Sequence, residues 1–186
     1  MRQADLLGGT PPQALQRLFF ALLPDAGLRA RIAETAASLE RVHGSGGRLL
    51  MAERYHLTLQ FLGDFQPLPP ALVVAARKAG DAMQPQAFDF VLDHAGSFPG
   101  SRVWWLGGQR NEALHGLQQG LGTALLRAGA RMQRGSFAPH LTIARDVRHQ
   151  IEPIPVDPIH WRVGGFALVE SRPGQPYEIL QRWQAA

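Results

Sequence analysis

The sequence contains no cysteine, which excludes disulfide bonds, a thiol nucleophile and cysteine-ligated zinc. Lysine is almost absent as well, because Lys78 is the one lysine among 19 Lys and Arg residues. The positive charge is therefore carried by arginine, whose planar fork of donors matches phosphate oxygens in pairs. A formal net charge of +4 permits a polyanionic partner without requiring one.

Long apolar segments are also missing. The run at 18–23 has six residues and ends at Pro24, which is too short for a signal peptide or a membrane span. We therefore expect a cytoplasmic, soluble protein with no membrane partner. With 186 residues and 45% hydrophobic content, the chain suits one globular domain over 17–186. The Gly- and Pro-containing residues 1–16 are expected to form a flexible N-terminal extension.

Strand and helix patterns alternate along the domain. Helices are predicted after Asp25, over 71–83 and after Asn111; the apolar face of the first comprises Leu28, Ile32, Ala36, Leu39 and Val42. Strands are predicted at 18–23, 56–63, from 88, and at 102–106, 139–145, 161–170 and 177–183, with a proline-broken connection through Pro153, Pro155 and Pro158. The glycine-rich turn of a dinucleotide fold is missing, which favours an α+β fold with antiparallel sheets.

One tetrapeptide occurs twice. His56-Leu57-Thr58-Leu59 is echoed by His140-Leu141-Thr142-Ile143, 84 residues later (140 − 56). Each copy follows a comparable set of strand and helix patterns, as expected for an internal duplication with two pseudo-symmetric lobes. In a strand, residues two apart share a face, roughly 6.6 Å apart, so each copy offers an imidazole and a hydroxyl on one side.

Two histidines facing one site suit phosphodiester cleavage. One neutral imidazole takes a proton from the nucleophile, and the other, protonated, donates a proton to the departing oxygen. The two threonine hydroxyls can donate to the non-bridging phosphoryl oxygens. The pseudo-symmetry leaves open which histidine is the acid and which is the base.

Other chemistries find less support. Neither a His-Glu-x-x-His motif nor an Asp-rich cluster accompanies the two copies, so we expect no metal and no cofactor. Ser97, Ser101 and Ser136 lack the context of a nucleophile elbow. The remaining histidines are scattered, and each is expected to lie at the surface or in the core: His43, His94, His115, His149 and His160.

The two motifs resemble the signature of the two-histidine (2H) phosphoesterase superfamily. The flanking sequence is similar to that of one branch, the RNA 2′,3′-cyclic phosphodiesterases, also called 2′-5′ RNA ligases. The similar segments are Arg17 to Leu22, His56 to Gly63, Pro139 to Arg145, and Glu170-Ser171 with Tyr177 to Leu180. The resemblance implies a bilobal α+β fold, with two antiparallel sheets facing a central cleft and helices outside.

The resemblance also implies an activity. A ribonucleoside or RNA 2′,3′-cyclic phosphate end would be hydrolysed to a 2′-phosphate without metal. Separately, we expect the protein to be a monomer. His56 would protonate the 3′ oxygen, His140 would activate water, and Thr58 and Thr142 would hold the phosphate. Arg145 matches an arginine that follows the second motif in this branch, although strand parity places it opposite His140.

Phe61 is a candidate platform for base stacking. Parity instead groups it with Leu57 and Leu59, which predicts a core position. Three other functions stay open: a 2H phosphoesterase acting on another cyclic or 2′-5′-linked nucleotide, a non-catalytic module that binds RNA ends, and ligation by reversal of the hydrolytic chemistry. A turnover assay discriminates the first two, and abundant water favours hydrolysis over ligation.

Overall fold

The computed structural model describes residues 14–130 and 136–185, which form three α-helices and nine strands. The helices are α1 (Ala26–His43), α2 (Pro70–Asp81) and α3 (Glu112–Arg127). The strands are β1 (Gln16–Leu22), β2 (Arg48–Leu49), β3 (Leu57–Phe65), β4 (Phe88–Gly96), β5 (Val103–Gly107), β6 (Leu141–Arg145), β7 (Ile154–Val163), β8 (Gly165–Ser171) and β9 (Glu178–Gln184). Most of the predicted N-terminal extension, residues 1–13, lies outside the described ranges.

The strands pair in the order β7-β4-β5-β6-β3-β1-β8-β9, and every pairing is antiparallel. Short β2 pairs with β6 beside this path. The order divides into two four-stranded halves, each with a motif strand, β3 or β6, at its inner edge. The halves meet through the pair Leu57–Leu141. The α+β class with a duplicated antiparallel arrangement is therefore confirmed.

The helices α1 and α3 begin where the sequence places their caps. The carboxylate of Asp25 accepts from the Leu28 N–H at 2.8 Å, and the side-chain oxygen of Asn111 accepts from the Leu114 N–H at 3.0 Å. The predicted apolar face of α1 is buried as far as Leu39, but Val42 is 73% exposed. Val42 lies in the last turn of α1, so the prediction that it joins the core is wrong. No helix in the described ranges is long and apolar enough to cross a bilayer.

One continuous core fills the side of the sheet that the helices cover, which we call the helix face. It takes buried side chains from all three helices and from both halves of the sheet, including the fully buried Tyr55 and Trp104. A second, small apolar cluster lies on the opposite side of β1 and β8 and is formed by Phe19, Ala21, Ala167 and Val169. This opposite side carries the two motifs, and we call it the motif face.

The C-terminal part of the sheet differs from the sequence prediction. Residues 153–158 were expected to form a broken connection, yet Pro155 and Pro158 lie within β7. β7 is the terminal strand of the described sheet and pairs with β4 alone. A terminal strand tolerates proline because its outer edge needs no ladder hydrogen bonds. The single strand predicted at 161–170 is divided between β7 and β8 at Gly164.

Two β-bulges change which side chains reach the motif face. On β6, Ala144 pairs with Trp104 and Thr142 with Trp105, so Ile143 is an extra residue. On β3, Gln60 pairs with Phe20 and Thr58 with Ala21, so Leu59 is an extra residue. An extra residue reverses the alternation of side chains beyond it. Arg145 and Phe61 therefore lie on the opposite face from the one that simple parity predicts.

Candidate active site

The two motifs lie side by side at the junction between the halves of the sheet. Each histidine comes immediately before its strand, because β3 begins at Leu57 and β6 at Leu141. The antiparallel pair Leu57–Leu141 sets the register. It places His56 opposite Thr142 and Thr58 opposite His140.

This register brings four polar side chains together on the motif face. Side chains directly opposite in an antiparallel pair have Cβ atoms about 4.5–5.5 Å apart. Thr58 pairs with Ala21 and Thr142 pairs with Trp105, and both threonines are half-buried. The four side chains form a rough square, with the two imidazoles at opposite corners and the two hydroxyls at the other corners. This arrangement can surround a single phosphate group.

Both imidazoles are held in the same way. Nδ1 of His56 lies 2.9 Å from the Arg54 carbonyl oxygen, and Nδ1 of His140 lies 2.8 Å from the Ala138 carbonyl oxygen. A carbonyl only accepts, so each Nδ1 carries the proton and donates it. In the neutral ring, Nε2 is then the basic nitrogen. Each histidine uses the carbonyl two residues earlier, which repeats the pseudo-symmetry at the level of single atoms.

Aromatic rings enclose His56. Its ring centroid lies 5.0 Å from that of Phe19 and 5.4 Å from that of Tyr177. The Tyr177 hydroxyl oxygen lies 3.2 Å from His56 Nδ1 and is a second acceptor for the same N–H. The guanidinium of Arg54 lies 3.9 Å above the Tyr177 ring, a cation–π contact, and also donates to the Gln175 carbonyl at 2.9 Å. Arg54 thus ties the chain before β3 to the chain before β9.

His140 has a simpler environment. The Phe98 ring lies nearly perpendicular to the His140 ring, with centroids 4.9 Å apart, and Phe98 in turn stacks on Trp105 at 5.4 Å. Among the described contacts of His140, no hydroxyl takes the place that Tyr177 has beside His56. The two halves therefore share the motif and the backbone anchor but differ in the groups behind each ring.

Burial keeps both histidines neutral. It lowers the pKa of His56 from 6.5 to about 4, with further lowering by Arg145, Arg54 and His140 and an opposing effect from the Arg54 carbonyl. Burial likewise lowers the pKa of His140, and Arg145 lowers it further, against the hydrogen bond to Ala138. Without a bound anion, neither ring carries a charge at neutral pH.

Arg145 lies close enough to lower the pKa of both histidines, and it acts in the same direction on Tyr177. Burial nevertheless dominates at Tyr177 and raises its pKa, so the hydroxyl stays protonated. The bulge at Ile143 explains how Arg145 reaches the motif face, since Arg145 pairs with Val103 two residues from Trp105 on an unbulged strand. The prediction that Arg145 lies opposite His140 is wrong for this reason.

Phe61 is also displaced from its expected position. It pairs with Phe19 and packs against the small cluster on the motif face, half-buried, rather than in the main core with Leu57 and Leu59. Its ring therefore lies in the same half of the motif face as His56. The alternating pattern gave no signal of this, because the bulge at Leu59 leaves no mark in residue type.

Sequence reasoning did not assign roles to Arg54, Tyr177, Phe19 or Phe98. Tyr177 lies 121 residues from His56 along the chain, so only the fold brings them together. Within residues 14–130 and 136–185, no group of three or more His, Asp or Glu side chains is arranged to hold a metal ion. Of the scattered histidines, His43, His149 and His160 are exposed, whereas His94 and His115 are half-buried beside a cavity in the β4-β5 half.

Comparisons with known proteins identify a family of similar chains. The family model of the 2′-5′ RNA ligase superfamily matches residues 24–175. The RNA 2′,3′-cyclic phosphodiesterase of Escherichia coli K12 is 34% identical over 181 residues, which cover 90% of this chain and 96% of the relative. The crystal structure of E. coli LigT complexed with 3′-AMP superposes with a TM-score of 0.73 at 32% identity, covering 92% of this chain and 99% of LigT. A protein of Thermus thermophilus gives a TM-score of 0.71 at 28% identity, covering 90% and 97% of the two chains.

Proposed function

The chain belongs to the 2′-5′ RNA ligase superfamily, and we propose that it hydrolyses 2′,3′-cyclic phosphate ends of RNA or nucleotides to 2′-phosphates without a metal ion. One observation carries the mechanism: the register at Leu57–Leu141 sets two imidazoles, each anchored through Nδ1, on either side of a space flanked by two threonines. Named relatives that are RNA 2′,3′-cyclic phosphodiesterases support the substrate class.

In this proposal, His140 is the general base. Its Nε2 takes a proton from a water molecule, and the water oxygen attacks phosphorus in line with the ester bond to the 3′ oxygen. His56, protonated on Nε2, donates to the 3′ oxygen as that bond breaks. The 2′ ester bond remains, so the product carries a 2′-phosphate.

The remaining groups stabilise negative charge on phosphorus. The hydroxyls of Thr58 and Thr142 donate to the non-bridging oxygens, which gain charge in the transition state. Arg145 offers a planar pair of donors from the same face. Phe61 presents a ring in the half that holds His56, where it can stack on the base of the cyclic nucleotide.

Because the pKa values of both histidines are lowered, the bound substrate contributes to protonation of the general acid. A nearby anion favours the charged form of an imidazole, so a bound phosphodiester raises the pKa of both rings from their lowered values. The Nδ1 anchors stay in place, because Nδ1 donates in the neutral and in the charged ring. Binding therefore promotes a form with one protonated Nε2, which in the proposed mechanism belongs to His56.

The test is a set of alanine variants with a matched control. His56→Ala and His140→Ala should each lower kcat for a nucleoside 2′,3′-cyclic phosphate by about 10²- to 10⁴-fold, the usual contribution of general acid or base catalysis. His160→Ala, which removes an exposed histidine of β7, should leave kcat unchanged. The double variant should lose far less than the product of the single losses, because both rings act on one transition state.

Two results would count against the proposal. Near-normal turnover in either single variant would make that histidine structural. Tight binding of RNA ends by the wild type with no turnover would favour the alternative, a non-catalytic binding module. The expectations of a monomer, of a cytoplasmic location and of a flexible N-terminal extension stay predictions.

A further inference from the structure

Tyr177 gives His56 a hydrogen-bonding partner that His140 lacks among its described contacts. The proton on Nδ1 of His56 already bonds to the Arg54 carbonyl oxygen at 2.9 Å, and the Tyr177 hydroxyl oxygen lies 3.2 Å from the same nitrogen. The hydroxyl directs its own proton at that carbonyl, with the two oxygens 3.5 Å apart, which leaves a lone pair for the His56 N–H. The N–H of His56 is therefore shared between two acceptors.

The ring of Tyr177 is held by contacts that do not involve its hydroxyl. It is nearly perpendicular to the ring of Phe19, with centroids 5.7 Å apart, and the guanidinium of Arg54 covers one of its faces at 3.9 Å. Arg54 is fixed in turn by its bond to the Gln175 carbonyl and by a second bond, at 3.2 Å, to the hydroxyl of buried Ser171. The position of the Tyr177 hydroxyl therefore follows from the packing of the ring behind it.

A second acceptor limits the movement of the imidazole. A ring held by one carbonyl can still tilt about that hydrogen bond, and the tilt moves Nε2 on the far side of the ring. Two acceptors in different directions restrict the tilt, and with it the line along which Nε2 donates. In the proposed reaction, Nε2 of His56 must lie within hydrogen-bond reach of the departing 3′ oxygen. A displacement of about 1 Å at such a centre can lower the rate about 10²-fold.

The second acceptor also favours the charged form of the ring. Among the described residues, the charged and titratable groups that face His56 are Arg54, Arg145, His140 and Tyr177. Burial and the first three of these side chains lower the pKa of His56, whereas acceptors for its N–H act in the opposite direction. The general acid is the histidine that carries the charge when the reaction begins, so an additional acceptor belongs with the acid rather than with the base.

We propose that Tyr177 is a positioning residue for the general acid, a step that rests on the proposed function. Its hydroxyl accepts the second hydrogen bond from Nδ1 of His56 and so directs Nε2 at the departing 3′ oxygen. Tyr177 itself contacts no substrate and neither gives nor takes a proton. The pseudo-symmetric site is thereby made unequal, with the doubly anchored ring of His56 on the side of the leaving group and the singly anchored ring of His140 on the side of the attacking water.

The experiment removes the hydroxyl and keeps the ring. In full-length Tyr177→Phe, kcat for cytidine 2′,3′-cyclic phosphate should fall about tenfold, since one hydrogen bond to a charged group contributes about that much. KM should change less than twofold, because the hydroxyl does not contact the substrate. The matched control is Tyr55→Phe, which removes the hydroxyl of the residue next to His56, whose side chain lies in the main core. It should leave kcat and KM unchanged, and any loss of stability that it causes would appear in unfolding alone.

Two further measurements separate positioning from a general structural role. In a His56→Ala background, Tyr177→Phe should cause no additional loss of kcat, because the ring on which it acts is already gone. In NMR spectra of the free protein, the Nδ1–H proton of His56 should shift in Tyr177→Phe. The Nδ1–H proton of His140 should not shift, because it keeps the single acceptor that it has in the wild type.

Four outcomes would overturn the inference while leaving the proposed function intact. Unchanged kcat in Tyr177→Phe would show that the hydroxyl is dispensable, and an unshifted Nδ1–H resonance of His56 would show that the hydroxyl is not its acceptor. A tenfold loss that persists in the His56→Ala background would mean that Tyr177 acts on another group. A raised KM with unchanged kcat would mean that the hydroxyl binds substrate. Absence of hydrolysis in the wild type would instead refute the proposed function itself.

Discussion

Replacing Arg145 with glutamine should separate two effects of one guanidinium. The bulge at Ile143 brings Arg145 to the motif face, where its charge lowers the pKa of His56 and His140. Under the proposed function, the same charge binds the substrate phosphate. Removing it should therefore weaken phosphate binding and, in the free protein, raise the pKa of both histidines.

The magnitude follows from the type of interaction. A hydrogen bond to a charged group contributes about 1.5–3 kcal/mol, and each 1.4 kcal/mol is a factor of ten. For Arg145→Gln we expect kcat/KM for cytidine 2′,3′-cyclic phosphate to fall about 10- to 150-fold. Arg145→Lys keeps the charge but loses the planar fork of donors, so its kcat/KM should lie between those of the wild type and Arg145→Gln. Its histidine pKa values should stay close to those of the wild type.

The assay pairs steady-state hydrolysis with NMR titration of the imidazole nitrogens. The control is Arg148→Gln, which neutralises an exposed arginine three residues further along the chain. It should change neither kcat/KM nor the histidine pKa values. Unchanged KM and unchanged histidine pKa values in Arg145→Gln would show that this side chain does not face the two imidazoles, and would refute the reasoning from the bulge.

Four further predictions concern metal, product, pH and stability. Hydrolysis should persist in excess EDTA; loss of activity that a divalent ion restores would contradict the metal-free mechanism. Every accepted cyclic substrate should give the 2′-phosphate, and predominant 3′-phosphate in phosphorus NMR would reverse the roles of His56 and His140. Because both histidine pKa values lie below 6.5, kcat/KM should fall as pH rises above that value, and a steady increase through pH 9 would point to a base without an acid. Between pH 6.5 and pH 4, the free energy of unfolding of the wild type, measured in urea, should fall by up to about 3 kcal/mol more than that of His56→Gln. The reason is that the imidazole of residue 56 binds a proton in the unfolded chain over this range but stays neutral in the folded protein. Equal decreases in both proteins would contradict the buried, neutral ring.

The local patterns of this sequence were sufficient for much of the fold. Caps at Asp25 and Asn111 act within three residues, so the sequence alone locates where α1 and α3 begin. Strand periodicity also predicts that His56 and Thr58 share one face of the sheet, and that His140 and Thr142 do so as well. What local patterns cannot supply is a change of period, since the two bulges depend on how neighbouring strands pair.

The errors at Arg145 and Phe61 have that single cause. Each residue lies just beyond a bulge, and counting from the motif gives the wrong face for both. The contacts of Tyr177 and Phe98 were invisible for a different reason, because they join segments far apart in the chain. Likewise, the prolines of β7 read as a broken connection until the sheet order shows that β7 is a terminal strand.

The carbonyl anchors at Nδ1 restrict each histidine to a single working nitrogen. Under the proposed chemistry, a turnover begins with the mobile proton on His56 and ends with it on His140. After one turnover the protonation states of the two histidines are therefore exchanged, and the site is protonated for the reverse reaction. Neither ring can release this proton through Nδ1, because Nδ1 already donates a hydrogen bond to a backbone carbonyl. Each cycle must therefore be reset through the solvent that enters from the motif face once product leaves.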